Sequence, residues 1–177
     1  MDFKSLSIIK QPQDKVWQTM RDHLIDVAKH VDDIDSITLH SRQEMAPDAV
    51  EIVNIWKANP PIPDSVARYI DSKMLMWTDT AHWDSKTGQC SWTIQSHYFK
   101  DKMQCQGQTI YEPALGGRGC RITFQGDIQW EKGLPLSLGL MDDLVSKALE
   151  SIIGKVIPNN FRKLTGHLEK YIVEESL

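Results

Sequence analysis

The feature that most constrains this chain is the C-terminal stretch from Gly139 to Ser176. Leu140, Met141, Leu144, Val145, Ala148, Leu149, Ile152, Ile153, Val156, Ile157, Phe161, Leu164, Leu168, Tyr171 and Ile172 recur there every three or four residues. That spacing lays one broad apolar stripe along an α-helix. Asp142, Lys147, Glu150, Lys155, Arg162, Lys163, Glu169, Lys170 and Glu174 occupy the opposite face. At about 1.5 Å per residue such a helix spans roughly 50 Å, so only a large curved surface can cover the stripe. Charges every few residues exclude a membrane span. Lys155 and Asn160 near the seam, with no strict heptad, argue against a two-stranded coiled coil. Pro158, with Gly154 one turn earlier, predicts one bent helix or two collinear ones.

The remaining residues have to supply the covering surface. At 177 residues the chain is long enough to bury a sizeable core, and its length predicts a single domain over 1–177. A net charge of −4, with no Lys- or Arg-rich run, argues against a nucleic-acid partner. Met1-Asp2-Phe3-Lys4 lacks the apolar region of a signal peptide, which predicts a cytoplasmic location. No segment spans a bilayer, leaving at most transient membrane contact. The three Cys, at 90, 105 and 120, form no CxxC pair and read as reduced, buried thiols.

In chain order, Phe3 to Lys10 reads as a first strand. Pro12 and Asp14 then open a helix whose stripe is Val16, Trp17, Met20, Leu24 and Val27. A short helical piece follows to about Val31, and Asp32-Asp33-Ile34-Asp35 breaks the pattern. From Ser36 the period becomes two. Ile37, Leu39 and Ser41 alternate with Thr38, His40 and Arg42, and after a turn at Ala46-Pro47-Asp48, Val50, Ile52, Asn54 and Trp56 share a face. The proline-rich loop from Asn59 to Asp64 leads into a short helix through Ile70. Strands are then predicted over Met74 to Trp83, Cys90 to Phe99, Met103 to Tyr111 and Cys120 to Trp130, linked by hairpin turns. Half-apolar strands of this kind build an antiparallel sheet with one wet face. The long helix is the element large enough to cover the other.

This order, with Pro12-Gln13-Asp14-Lys15-Val16-Trp17 opening the first helix, resembles the START-like, helix-grip (SRPBCC) superfamily of polyketide cyclases, pollen-allergen-like proteins and lipid-transfer domains. Arg21-Asp22-His23-Leu24 and Ile34-Asp35-Ser36-Ile37 around the turn into strand two are similar too, as is Gly133-Leu134-Pro135-Leu136 before the final helix. The segment 59–70 departs from the shortest family members. The resemblance implies an α+β helix-grip fold: a curved antiparallel sheet around a long C-terminal helix, with two short helices after strand 1. It also implies a cavity between sheet and helix that binds an apolar small molecule, with the 59–70 segment flanking its mouth. Fold alone leaves function open. Three readings follow: a binder or carrier of a lipid, polyketide or aromatic metabolite; a metal-free cyclase or dehydratase; and an interaction domain with a collapsed cavity.

Strand phase nominates Asn54, Trp56, Trp92, Ser96, Tyr98, Met103, Thr109, Tyr111 and Phe124 as ligand contacts, with Leu149 and Ile153 from the helix. If the turn after Trp83 is centred between Lys86 and Thr87, then Trp77, Asp79, Ala81 and Trp83 face inward as well. A slip of one residue would select Met76, Thr78, Thr80 and His82 instead. Clustered rings fill cores and also line apolar ligand pockets. Asp79, Tyr98 and Tyr111 are the acid–base candidates, Asp79 foremost, because a carboxyl facing an apolar cavity has a raised pKa. The six His show no metal-ligand spacing, Gly116-Gly117-Arg118-Gly119 sits in a hairpin rather than before a helix, and no cofactor is expected.

Overall fold

The computed structural model describes residues 1–131 and 142–175. Its strands are β1 (Asp2–Ile9), β2 (Ile34–Ala46), β3 (Ala49–Ala58), β4 (Met76–Asp84), β5 (Gln89–Ser96), β6 (Met103–Ala114) and β7 (Gly119–Trp130). The helices are α1 (Gln13–Asp22), α2 (Leu24–Ala28), α3 (Asp64–Ala67) and α4 (Asp142–Glu175). All strands join one antiparallel sheet in the order β1-β7-β6-β5-β4-β3-β2. Strands β1 and β2, consecutive in sequence, therefore form opposite edges, and α1 with α2 bridges them.

The long helix runs from Asp142 to Glu175 through Pro158, so of the two alternatives the single helix holds. Pro158 has no N–H to give the Gly154 carbonyl, and tertiary packing holds the turn instead. Val156, Ile157, Leu164, Leu168 and Ile172 are buried in the core, each worth roughly 1.5–3 kcal/mol when fully removed from water. Polar contacts set the helix against β1: the Ser7 and Thr165 hydroxyls lie 3.0 Å apart, and the Lys10 N–H donates to Glu169 Oε2 at 2.9 Å. Gly133-Leu134-Pro135-Leu136 lies outside the described residues.

On the facing side, α1 buries Val16, Trp17 and Met20, and α2 buries Val27 and Ala28. Gln13 Nε2 donates to the Tyr111 carbonyl at 2.7 Å, tying the start of α1 to β6. In one cross-strand row Trp92 pairs with Gly107, Gly107 with Gly126 and Gly126 with Phe3. The Trp92 indole lies over both glycines. A Cβ at Gly107 would meet it at 2.5 Å and the Gln125 carbonyl at 2.2 Å, and a Cβ at Gly126 would meet the ring at 2.5 Å. Only glycine fits at either place.

Two expectations need correction. Strand β2 does not alternate: after Ile34 and Ile37 every residue is exposed, Leu39 by 50%. Register shifts at Ile34/Ser36, Leu39/Ser41 and Glu44/Ala46 break the two-residue period, as bulges on edge strands do. The second concerns β5, which ends at Ser96 and not at Phe99. His97 to Phe99 turn the chain instead, and Lys100 follows at φ 40°.

Candidate functional site

The site begins with the β4–β5 hairpin. Asp84 Oδ1 accepts from the Lys86 N–H at 2.8 Å, and Gly88 adopts φ 65°, which closes the turn. Trp77 then pairs with Ser96, Asp79 with Ile94, Ala81 with Trp92 and Trp83 with Cys90, a register centred between Lys86 and Thr87. Trp77, Asp79, Ala81 and Trp83 consequently face inward. His82 is on the outer face, 3.5 Å from Glu51.

These residues enclose a cavity of about 60 Å³ between the sheet and the helices. Its floor is Trp56 from β3, the four inward residues of β4, Cys90, Trp92 and Ile94 from β5, Thr109 and Tyr111 from β6, and Phe124 from β7. Met20 and Leu24 close it from the α1–α2 side, and Ile157 and Phe161 close it from α4. The walls are flat rings in contact. Trp56 stacks on Trp77 with centroids 5.7 Å apart, Trp92 on Phe124 at 5.0 Å, and Phe124 on Phe161 at 3.9 Å. Trp17 backs the wall from outside, meeting Trp83 and Tyr111 edge-on at 5.0 and 5.2 Å. The volume is well below the roughly 300–1,000 Å³ of pockets that hold drug-sized molecules.

Polar groups in the cavity are few, and they differ in how far they are satisfied. Trp92 Nε1 donates to Thr109 Oγ1 at 3.2 Å, so that pair is self-contained. Burial holds the Tyr111 phenol and the Cys90 thiol well above their ordinary pKa values, leaving both neutral. Asp79 differs from these. Burial pushes its carboxyl up from 3.8 to about 7, and the Trp56 indole N–H, turned toward it, opposes that rise. Asp79 is partly buried and lines the cavity. The two groups do not reach hydrogen-bonding geometry. Trp56 Nε1 is one of two buried side-chain polar atoms without a partner among the described residues; the other is Asn160 Nδ2.

The nominated residues separate into distinct places. Trp56, Trp77, Asp79, Trp92, Thr109, Tyr111 and Phe124 all line the cavity. Asn54 is buried and sits directly opposite Asp79 in the β3–β4 ladder, yet it is not part of the wall. Ser96 is occupied in the turn, where its Oγ accepts from the N–H groups of Tyr98 at 3.3 Å and Phe99 at 3.1 Å. It lines only a separate void of about 10 Å³, together with Met103. Tyr98 is 37% exposed beyond the end of β5, packed on Phe99, and is removed from the acid–base candidates. The side chains of Leu149 and Ile153 lie outside the described residues.

Strand phase alone overlooked the roof. Met20 lies on α1, Leu24 opens α2, and Ile157 and Phe161 belong to the apolar stripe of α4, but helical periodicity does not say which turn overlies a void. The 59–70 segment packs on α4 through α3 and contributes no residue to the wall. Among the described residues no group of three His, Cys, Asp or Glu is placed to hold a metal ion.

No family model matches the chain, and no curated protein matches it in sequence. Solved structures do match over nearly the whole length. TTHA0849 from Thermus thermophilus is similar at 15% identity, covering 100% of both chains with a TM-score of 0.66. The Zhui aromatase/cyclase from Streptomyces sp. R1128 is similar at 14% identity over 97% of this chain and 95% of its own, also at 0.66. Ara h 8.0201 follows at 14% identity, 98% of each chain and a TM-score of 0.60. At such identities the likeness is one of fold.

Proposed function

We propose, from a helix-grip fold of the START-like kind and the cavity inside it, that the protein binds one small, largely apolar molecule between sheet and helix. The observation that carries this reading is a cavity of about 60 Å³ walled by aromatic rings, with a desolvated carboxyl on its floor. A purely structural core has no use for Asp79 there. Replacing a buried carboxyl that has no cationic partner by an apolar side chain stabilises a fold, so its presence points to a ligand or a reaction. The neighbours in the structural comparison, an aromatase/cyclase among them, are compatible with this reading. Of the lipid, polyketide and aromatic metabolites that the resemblance implies, the small volume and flat walls favour an aromatic one.

One observation favours turnover as a second reading. A carboxyl pushed up to about 7 is matched to proton transfer at neutral pH, and the Tyr111 phenol, held neutral, lines the same cavity. Native mass spectrometry of the protein mixed with single-ring compounds tests the binding reading. One equivalent is expected on the wild type and none on Ala81→Leu, whose added side chain fills the floor. Equal adducts on both proteins place the molecules elsewhere and refute the reading.

A further inference from the structure

Asp79 says more about the occupant of the cavity than the surrounding rings do. We infer that the ligand is a five- or six-membered aromatic ring with a basic nitrogen in the ring, and that this nitrogen shares one proton with the Asp79 carboxyl. This rests on the reading of the cavity as a binding site and specifies its chemistry.

Size comes first. At about 10–15 Å³ for each water-sized position, a cavity of about 60 Å³ admits roughly four to six non-hydrogen atoms before a wall moves. A six-membered ring takes up the whole allowance, and any substituent on it exceeds it. A polar group that adds no volume has to be an atom of the ring itself. The Trp56–Trp77 and Trp92–Phe124 stacks, within 17° and 23° of parallel, offer flat faces. A planar ring meets such walls better than an aliphatic amine of equal volume.

The chemistry of the polar atom follows from the floor. Asp79 lines the cavity, and what acts on its carboxyl is burial and the Trp56 indole, with no cation paired to it among the described residues. Trp56 Nε1 is turned toward the carboxyl from within the wall and has no accessible surface of its own, so the ligand meets the carboxyl alone. The Cys90 and Cys105 thiols, which lie close enough to feel the charge of Asp79, and the Tyr111 phenol are held neutral by burial. A ring nitrogen serves the carboxyl in both of its states. Protonated, Asp79 donates to the nitrogen; ionised, it accepts from the N–H of the protonated ring. An imidazole-like base titrates at about 6.5 in water. Its proton and that of a carboxyl pushed up to about 7 are therefore closely matched. Tryptophan faces attract a cation, so the walls tolerate the protonated ring as well. A hydrocarbon ring leaves the carboxyl unpaired, and a ring oxygen, which only accepts, serves it only when Asp79 holds its proton.

Isothermal titration at neutral pH with pyridine and benzene tests the inference, since both are flat rings of the same number of non-hydrogen atoms. Pyridine is expected to bind the wild type roughly tenfold more tightly than benzene, the difference one buried hydrogen bond to a charged group makes. Asp79→Ala removes the carboxyl without adding bulk. It should bind benzene at least as tightly as the wild type does, and pyridine about tenfold more weakly. Pyridine binding the wild type no tighter than benzene, or a pyridine-to-benzene ratio unchanged in Asp79→Ala, overturns the shared proton and leaves the apolar cavity standing. If neither ring binds, the cavity reading itself fails, and this inference with it. Should Asp79→Ala not fold, the wild-type ratio decides alone.

Discussion

At the scale of single residues, Asp79 dominates the account because its environment disagrees with its charge. Folded, it holds a proton up to about pH 7; unfolded, it releases it near 3.8. Between those values the folded state binds more protons, so this group's contribution to stability falls as pH rises and levels off above 7. At about 1.36 kcal/mol per pH unit the effect approaches roughly 4 kcal/mol. Asp22, Asp26 and Asp127 act in the opposite sense, held low by hydrogen bonds from Arg21, Lys29 and the N-terminal ammonium. Asp79→Asn leaves those three untouched. Urea denaturation should therefore show the variant near wild type below pH 4 and more stable by up to about 4 kcal/mol at pH 8. A difference that does not change with pH would mean that Asp79 is solvated. The placement of Asp79 was legible in the sequence through one assumption, the centre of the turn after Asp84. The orphaned indole beside it was not, since no pattern of residue types reveals the angle of a ring.

At the scale of elements, legibility tracked periodicity. Strands β3 and β7 could be phased from their residues, whereas β4 could be phased only through the centre assumed for the turn after it. Strand β2 could not, because three register shifts break its alternation and leave Leu39 in water. The end of β5 was misplaced because Tyr98 and Phe99 prolong an alternating run, while Ser96 turns the chain by accepting two backbone N–H groups. The glycine pair leaves the space that the Trp92 ring occupies over the sheet. Gly126→Ala would place a Cβ 2.5 Å from the Trp92 ring, 2.6 Å from the Gln106 carbonyl and 2.9 Å from Phe3. Two of these neighbours are core rings and the third is backbone, so relaxation is limited. A loss on the order of 2–3 kcal/mol is expected in thermal or denaturant unfolding, together with a change in tryptophan fluorescence. A variant as stable as wild type would show that the Trp92 ring is free to move off the glycines.

At the scale of the whole molecule, a sheet closed by three helices produces an interior that is nearly but not fully filled. No described helix is long and apolar enough to cross a membrane. The stripe on α4 announced its own covering surface, and from that the sheet and the grip followed; the cavity between them was implied by the resemblance alone. Which turns of α1 and α4 roof the void did not follow, because a helix presents the same apolar face above a gap as above a packed core. The central claim is that this gap takes a single ring. The most direct measurement follows the indole N–H resonances of the six Trp in nitrogen-15-labelled protein as pyridine is added. The account predicts saturable shifts for Trp56, Trp77, Trp83 and Trp92, little change for Trp17 and Trp130, and no shifts in Ala81→Leu. Indoles that stay still at millimolar pyridine, or Trp130 moving ahead of Trp56, would contradict it.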